Sequence, residues 1–106
     1  IVGRIKDMVI RGGENVYPAE VERVIVTHPA VKEVAVIGVA DERWGEVGKA
    51  FLVLQPDAAP LDPEALREHC RDRLARYKIP RHVRILPELP VNQAGKIDRL
   101  RLAELE

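Results

Sequence analysis

Residues 31–54, "VKEVAVIGVADERWGEVGKAFLVL", hold two apolar, β-branched runs around a polar, glycine-bearing stretch. The first run, 31–41, has the composition of a buried strand, and so does the second, from Lys49 onward. Two such runs joined through glycine predict an antiparallel pair. The connection, "ERWGEVG", is long enough to project away from the sheet.

Upstream, "VGRIKDMVI" at 2–10 reads as strands around Lys6 and Asp7, a hairpin that Gly12 and Gly13 end. Pro18 suits the first turn of a helix, and Glu20 and Glu22 follow near its positive end. Val21, Val24, Ile25 and His28 then share one face at helical spacing, and Pro29 stops the helix. On the other side, Asp62, Pro63 and Glu64 form a helix start of N-cap, proline and first-turn acid, with Leu61 placed to staple the entry. Leu66, Cys70, Leu74 and Tyr77 continue as one apolar stripe, and the helix is expected to stop before Pro80. "HVRIL" is a short strand, "PELPVNQAGKID" a punctuated loop, and Asp98 the cap of a short helix through Leu105. The fold class is therefore α+β: a small domain with an N-terminal β-hairpin and a three-stranded sheet covered by two main helices.

The 106 residues suit one domain, 46% hydrophobic and 32% charged. Such a chain buries roughly two-thirds of the surface its unfolded form exposes, enough for one modest core. Seventeen basic residues balance 17 acidic ones, which argues against electrostatic nucleic-acid binding. Cys70 is the only cysteine, so an intramolecular disulfide or a cysteine metal cluster is excluded, and a reducing cytosol fits. No apolar run reaches the roughly 18 residues of a membrane span, and no signal peptide is visible. The chain opens "IVGRIKD", without Met and already inside a strand pattern, which reads as a piece of a longer protein.

Few residues invite chemistry on their own. Lys96, on a glycine loop just before a helix, is placed to carry a compact positive charge onto a phosphate or carboxylate oxygen. Most lysines are simply solvated, and "AGK" lacks both the upstream glycine and the following Ser/Thr of a phosphate loop. Gly12 and Gly13 fit a tight turn or a site where something passes close to the backbone. Trp44 fits a half-buried anchor or a ligand platform. His28, His69 and His82 follow no metal-site spacing, and Glu20 and Glu22 fit helix-dipole partners better than an acid/base pair. No metal ligand is expected in this chain.

Two longer motifs reach further. "GRIKDMVIRGGENVYPAEVE" at 3–22 and "LPVNQAGKIDR" at 89–99, with "HPAVKEVAVIGVADERWGEVGKAFLVL" and "LARYKIPRHVRIL" between them, resemble the C-terminal domain of the adenylate-forming superfamily. Those enzymes include acyl-CoA synthetases, peptide adenylation domains and luciferases. "GGENVYPAEVE" and "DERWGE" look like the fatty-acyl and aryl CoA ligase branch.

The resemblance implies that residues 1–106 are the mobile C-terminal domain of an acyl-CoA synthetase, a cytoplasmic enzyme. Its large N-terminal domain would be a separate part holding the nucleotide, Mg2+ and the acyl pocket. It further implies two half-reactions: a carboxylic acid and ATP give acyl-adenylate and pyrophosphate, then CoA gives acyl-CoA and AMP. Lys96 resembles the adenylation lysine, Arg4 the nucleotide-contacting arginine beside the hinge, and Lys6 the hinge residue. Gly12, Gly13, Glu14 and Trp44 match positions along the pantetheine arm, where a Cβ on the glycines would narrow the passage. Tyr77, Lys78 and Arg81 match positions that contact the CoA nucleotide in some members, although Ile79 replaces a basic residue of relatives. An adenylation domain that loads a carrier protein, or a nucleotide-binding module without catalysis, are the competing readings.

Overall fold

The computed structural model describes residues 9–11 and 14–105. The elements run β1 (Val9–Arg11), β2 (Glu14–Val16), α1 (Pro18–Ile25), β3 (Val31–Asp41), β4 (Gly45–Leu54), α2 (Pro63–Arg71), a 3-10 turn (Arg76–Lys78), β5 (His82–Ile85) and α3 (Arg99–Ala103). The domain is α+β, as the sequence implies. β3 and β4 pair antiparallel from Val31↔Leu54 to Asp41↔Gly45. On the other side of β4, β5 runs parallel over 49–52, and β1 joins at Arg11↔Gly45. β1 and β2 form a small antiparallel hairpin whose last pair is Arg11↔Glu14. The hairpin expected around Lys6 and Asp7 lies outside the described residues.

The long central strands carry unbroken apolar runs, 34–40 and 50–54, because both faces are covered there. Val36, Ala50 and Leu52 face a core completed by Val21 and Ile25 of α1 and Leu66 and Cys70 of α2. Their neighbours Ala35, Ile37, Phe51 and Val53 face a second, smaller core completed by Leu89 and Leu102. A period-2 pattern would have marked a one-sided sheet; the unbroken run marks this two-sided one. The two main helices thus cover one face and α3 the other.

α2 begins as its sequence dictates: the Asp62 carboxylate accepts the Ala65 N–H at 2.8 Å, with Pro63 at the first helical position. It ends earlier than the stripe of apolar residues suggests, at Arg71. The carbonyl of Cys70 accepts the N–H groups of both Arg73 and Leu74, which tightens the chain into a turn. Leu74 and Tyr77 still reach the first core, because the turn returns the apolar spacing to the same side. Among the described residues, no helix is long and apolar enough to cross a membrane.

Candidate functional site

Lys96 sits on the tip of a small loop closed by the Val91↔Ile97 bridge. Asn92 organises that tip. Its Oδ1 accepts the N–H groups of Ala94 at 2.9 Å and Lys96 at 3.1 Å. Its own N–H donates to the Lys96 carbonyl at 2.8 Å, and its carbonyl accepts from Gly95 at 2.9 Å. Gly95 takes φ +80°, a left-handed conformation that favours glycine over any residue with a Cβ. The loop backbone is therefore fixed while the Lys96 side chain stays exposed, and no acid pairs with it among the described residues.

The loop is anchored just downstream. Asp98 caps α3 by accepting from Arg101 N–H at 3.1 Å. Arg99 reaches around the open edge of β3 to Glu22 on α1, with Nη1 to Oε2 at 3.0 Å. The same pair occupies the backbone of that edge: Glu22 Oε2 accepts the Val36 N–H at 2.8 Å, and Arg99 Nη1 donates to the Val36 carbonyl at 3.0 Å. At Val36 the edge is thus blocked locally against pairing with another chain.

A second group of residues gathers elsewhere. The β3–β4 connection has only three residues, 42–44, shorter than the projecting segment expected from "ERWGEVG". Two features allow the strands to zip so far. Asp41 Oδ1 accepts the N–H groups of Arg43 and Trp44, and Gly45 takes φ +83°. Trp44 is half-buried at this tip, with the Arg43 guanidinium 5.1 Å from its ring centroid. The Trp44 amide is the main cause that holds the Asp41 carboxyl below its usual range, and the Arg81 and His82 charges add to it. Arg81 thus lies near the tip. Its N–H donates to the Gly48 carbonyl at 3.0 Å, which ties the 76–81 segment to β4.

That segment and α2 enclose a groove of about 460 Å³ lined by Arg67, Arg71, Arg76, Ile79, Pro80 and Arg81. Arg67 is engaged in building it, donating to the carbonyls of Arg81 at 2.6 Å and Pro80 at 3.4 Å. Arg71 pairs with Glu64 and Glu68. Arg76 and Arg81 have no ion-pair partner among the described residues, so a neutral chain carries a locally positive groove with an apolar floor. Lys78 is placed differently: its ammonium pairs with Glu20 on α1 at 3.0 Å, and that hydrogen bond raises its pKa.

The sequence-derived sites therefore divide. Lys96 lies beside the second core, where Ile97 packs, whereas Tyr77 and Ile79 pack on the first, across the sheet. Of the nucleotide trio, Arg81 lines the groove, Lys78 turns to Glu20, and Tyr77, just before Lys78, is half-buried against the first core. Arg67, Arg71 and Arg76 are not singled out by the sequence reading; the i, i+4 spacing of Arg67 and Arg71 on α2 and the place of Arg76 four residues before Pro80 were the available signals. Glu14 is in β2 opposite Arg11. Arg4, Lys6, Gly12 and Gly13 lie outside the described residues. Among the described residues, no three His, Cys, Asp or Glu side chains come together to hold a metal.

Comparison with known proteins adds to this geometry. The profile of the AMP-binding enzyme C-terminal domain matches residues 20–96. The chain is 50% identical over 105 residues to the 2-succinylbenzoate–CoA ligase of Geobacillus kaustophilus, covering 99% of this chain and 21% of that protein. It is 49% identical over 104 residues to a long-chain-fatty-acid–CoA ligase of Mycobacterium tuberculosis, covering 98% and 20%. Among solved structures, it resembles the Mycobacterium tuberculosis fatty acyl CoA synthetase with a TM-score of 0.86 and 48% identity, over 95% of this chain and 20% of that one. The o-succinylbenzoate CoA synthetase of Bacillus subtilis, solved with its acyl-adenylate intermediate, gives 0.85 and 45%, over 94% and 20%. The chain spans about a fifth of the length of the curated relatives it matches.

Proposed function

The chain belongs to the AMP-binding enzyme C-terminal domain family, and we propose that residues 1–106 are the mobile C-terminal domain of an AMP-forming acyl- or aryl-CoA synthetase. The complete enzyme joins a carboxylic acid to CoA at the expense of ATP, in the cytoplasm. The observation that carries the reading is the Lys96 loop, a rigid backbone that presents an ammonium without an acid partner among the described residues.

In the first half-reaction a carboxylate oxygen attacks the α-phosphorus of ATP, and the bond to pyrophosphate breaks. Negative charge builds on the oxygens around phosphorus. Lys96, already ordered by its loop, donates to those oxygens and to the carboxylate without reorganising. Arg4 contacts the nucleotide. The magnesium that accompanies ATP is assigned to the N-terminal domain, where it would screen the phosphate charge.

In the second half-reaction the CoA sulfur attacks the acyl carbon, and AMP leaves. For this step the domain rotates about a hinge at Lys6 and offers its other side. Gly12 and Gly13 keep the pantetheine passage open, with Glu14 and Trp44 beside it. Arg81, with Lys78 and Tyr77 near it, meets the CoA nucleotide. The arginine groove supports this role, since guanidinium groups suit phosphate oxygens and Ile79 with Pro80 suit an apolar ring.

The test is Lys96→Ala in the complete enzyme. Loss of a preorganised donor should slow pyrophosphate release by a hundred- to thousandfold, about 3–4 kcal/mol. Undiminished release would overturn the assignment. Assaying the unmutated enzyme with free CoA and with a phosphopantetheinyl carrier protein identifies the acceptor.

A further inference from the structure

The Lys96 loop depends on one side chain to an unusual degree. Both backbone polar groups of Lys96 end on Asn92: its N–H donates to Asn92 Oδ1 at 3.1 Å, and its carbonyl accepts from Asn92 N–H at 2.8 Å. The same Oδ1 takes the Ala94 N–H at 2.9 Å, and the Asn92 carbonyl takes that of Gly95. The loop is exposed and makes no core contact of its own between 92 and 96. Asn92 therefore replaces packing as the source of its shape. A short amide side chain that closes on N–H groups two and four residues ahead suits this task, as in other turns built on Asn or Asp.

We infer that Asn92 is a positioning residue for Lys96, the group that sets where its ammonium emerges and so the rate of the adenylation step. The inference rests on the role proposed for Lys96. A reacting group displaced by about 1 Å can lose on the order of a hundredfold in rate. Without the carboxamide, the Ala94 and Lys96 amides turn to water, and Gly95, with no side chain, offers the loop other conformations. Asn92 itself has no need to touch substrate.

The experiment uses the complete enzyme and four variants: Asn92→Ala, Asn92→Asp, Lys96→Ala and the double variant Asn92→Ala/Lys96→Ala. Pyrophosphate release reports the first half-reaction, and thioester formation from supplied acyl-adenylate reports the second. Asn92→Ala is expected to lower kcat of pyrophosphate release at least tenfold with little change in KM for ATP. Asn92→Asp, which keeps the acceptor oxygen, should recover most of that loss. Because Asn92 acts through Lys96, the double variant should be no slower than Lys96→Ala.

Three results would overturn the inference. One is an unchanged kcat in Asn92→Ala while Lys96→Ala collapses. Another is a double variant slower than Lys96→Ala by the full cost of Asn92→Ala. The third is loss of both half-reactions in Asn92→Ala with no recovery in Asn92→Asp, which assigns the residue to folding alone. If Lys96→Ala itself releases pyrophosphate normally, the functional reading of Lys96 fails instead, and that failure is visible before any Asn92 variant is compared.

Discussion

At the scale of single residues, one side-chain chemistry meets opposite fates at two positions. Lys78 and Lys96 are both lysines near the chain's end, yet Lys78 is held by Glu20 and Lys96 faces solvent. Spacing does not separate them, since the acid that engages Lys78 is 58 residues away. Arg99 is a further case. Its position after "GKID" reads as part of a motif, but its structural duty appears only when β3 is seen to be an edge strand. Arg99→Ala would leave the Val36 carbonyl and the Glu22 carboxylate short of a partner at a partly buried edge. The expected cost is about 1–3 kcal/mol, read as a lower urea midpoint. An unchanged midpoint would show that water replaces the guanidinium without loss. Asp62→Ala removes the cap of α2 and should cost about 1 kcal/mol in the same assay.

At the scale of elements, the strands and helix starts were legible because local chemistry decides them. The 31–41 run became β3 without change, and Asp62 and Asp98 both cap their helices. Helix and turn ends were less so. The apolar stripe from Leu66 to Tyr77 continues through the end of α2, so periodicity alone cannot reveal the break after Arg71. The 42–48 segment looked like a loop because glycines are rare inside strands. Gly45 and Gly48 are tolerated because β4 is pinned to β3 on one side and to β1 and β5 on the other.

The contact between the main helices also predicts a pH response. His69 on α2 meets Thr27 Oγ1 at 2.9 Å and stacks edge-on with His28 at 4.9 Å. Burial is the main cause that lowers the His69 pKa below its usual 6.5, with the Arg73 and His28 charges adding to it. A histidine whose folded pKa is depressed stabilises the fold above the unfolded pKa. The contribution is lost as pH falls from 6.5 through the folded value. Denaturation midpoints should therefore drop between pH 7.5 and 5.5, and His69→Gln should flatten that drop. An equally steep drop in the variant would assign the effect to other groups.

At the scale of the whole molecule, one thin domain places two sets of groups on opposite sides of a doubly covered sheet. The Lys96 loop borders the core under α3, and the 76–81 segment borders the core under α1 and α2. The superfamily was legible because its motifs are long and ordered along the chain. The sidedness was not, because it depends on the alternation of Val34, Ala35, Val36 and Ile37 between two cores. The proposed rotation is consistent with this sidedness: with one side turned to a shared reaction centre, the other would face away from it.

If the adenylation group and the pantetheine group serve different half-reactions, a crossed assay of two variants in the complete enzyme separates them. Pyrophosphate release and thioester formation from supplied acyl-adenylate are measured for Lys96→Ala and for Gly13→Leu. Lys96→Ala is expected to lose the first and keep the second, while Gly13→Leu keeps the first and loses the second. Loss of the same half-reaction in both variants would contradict this division.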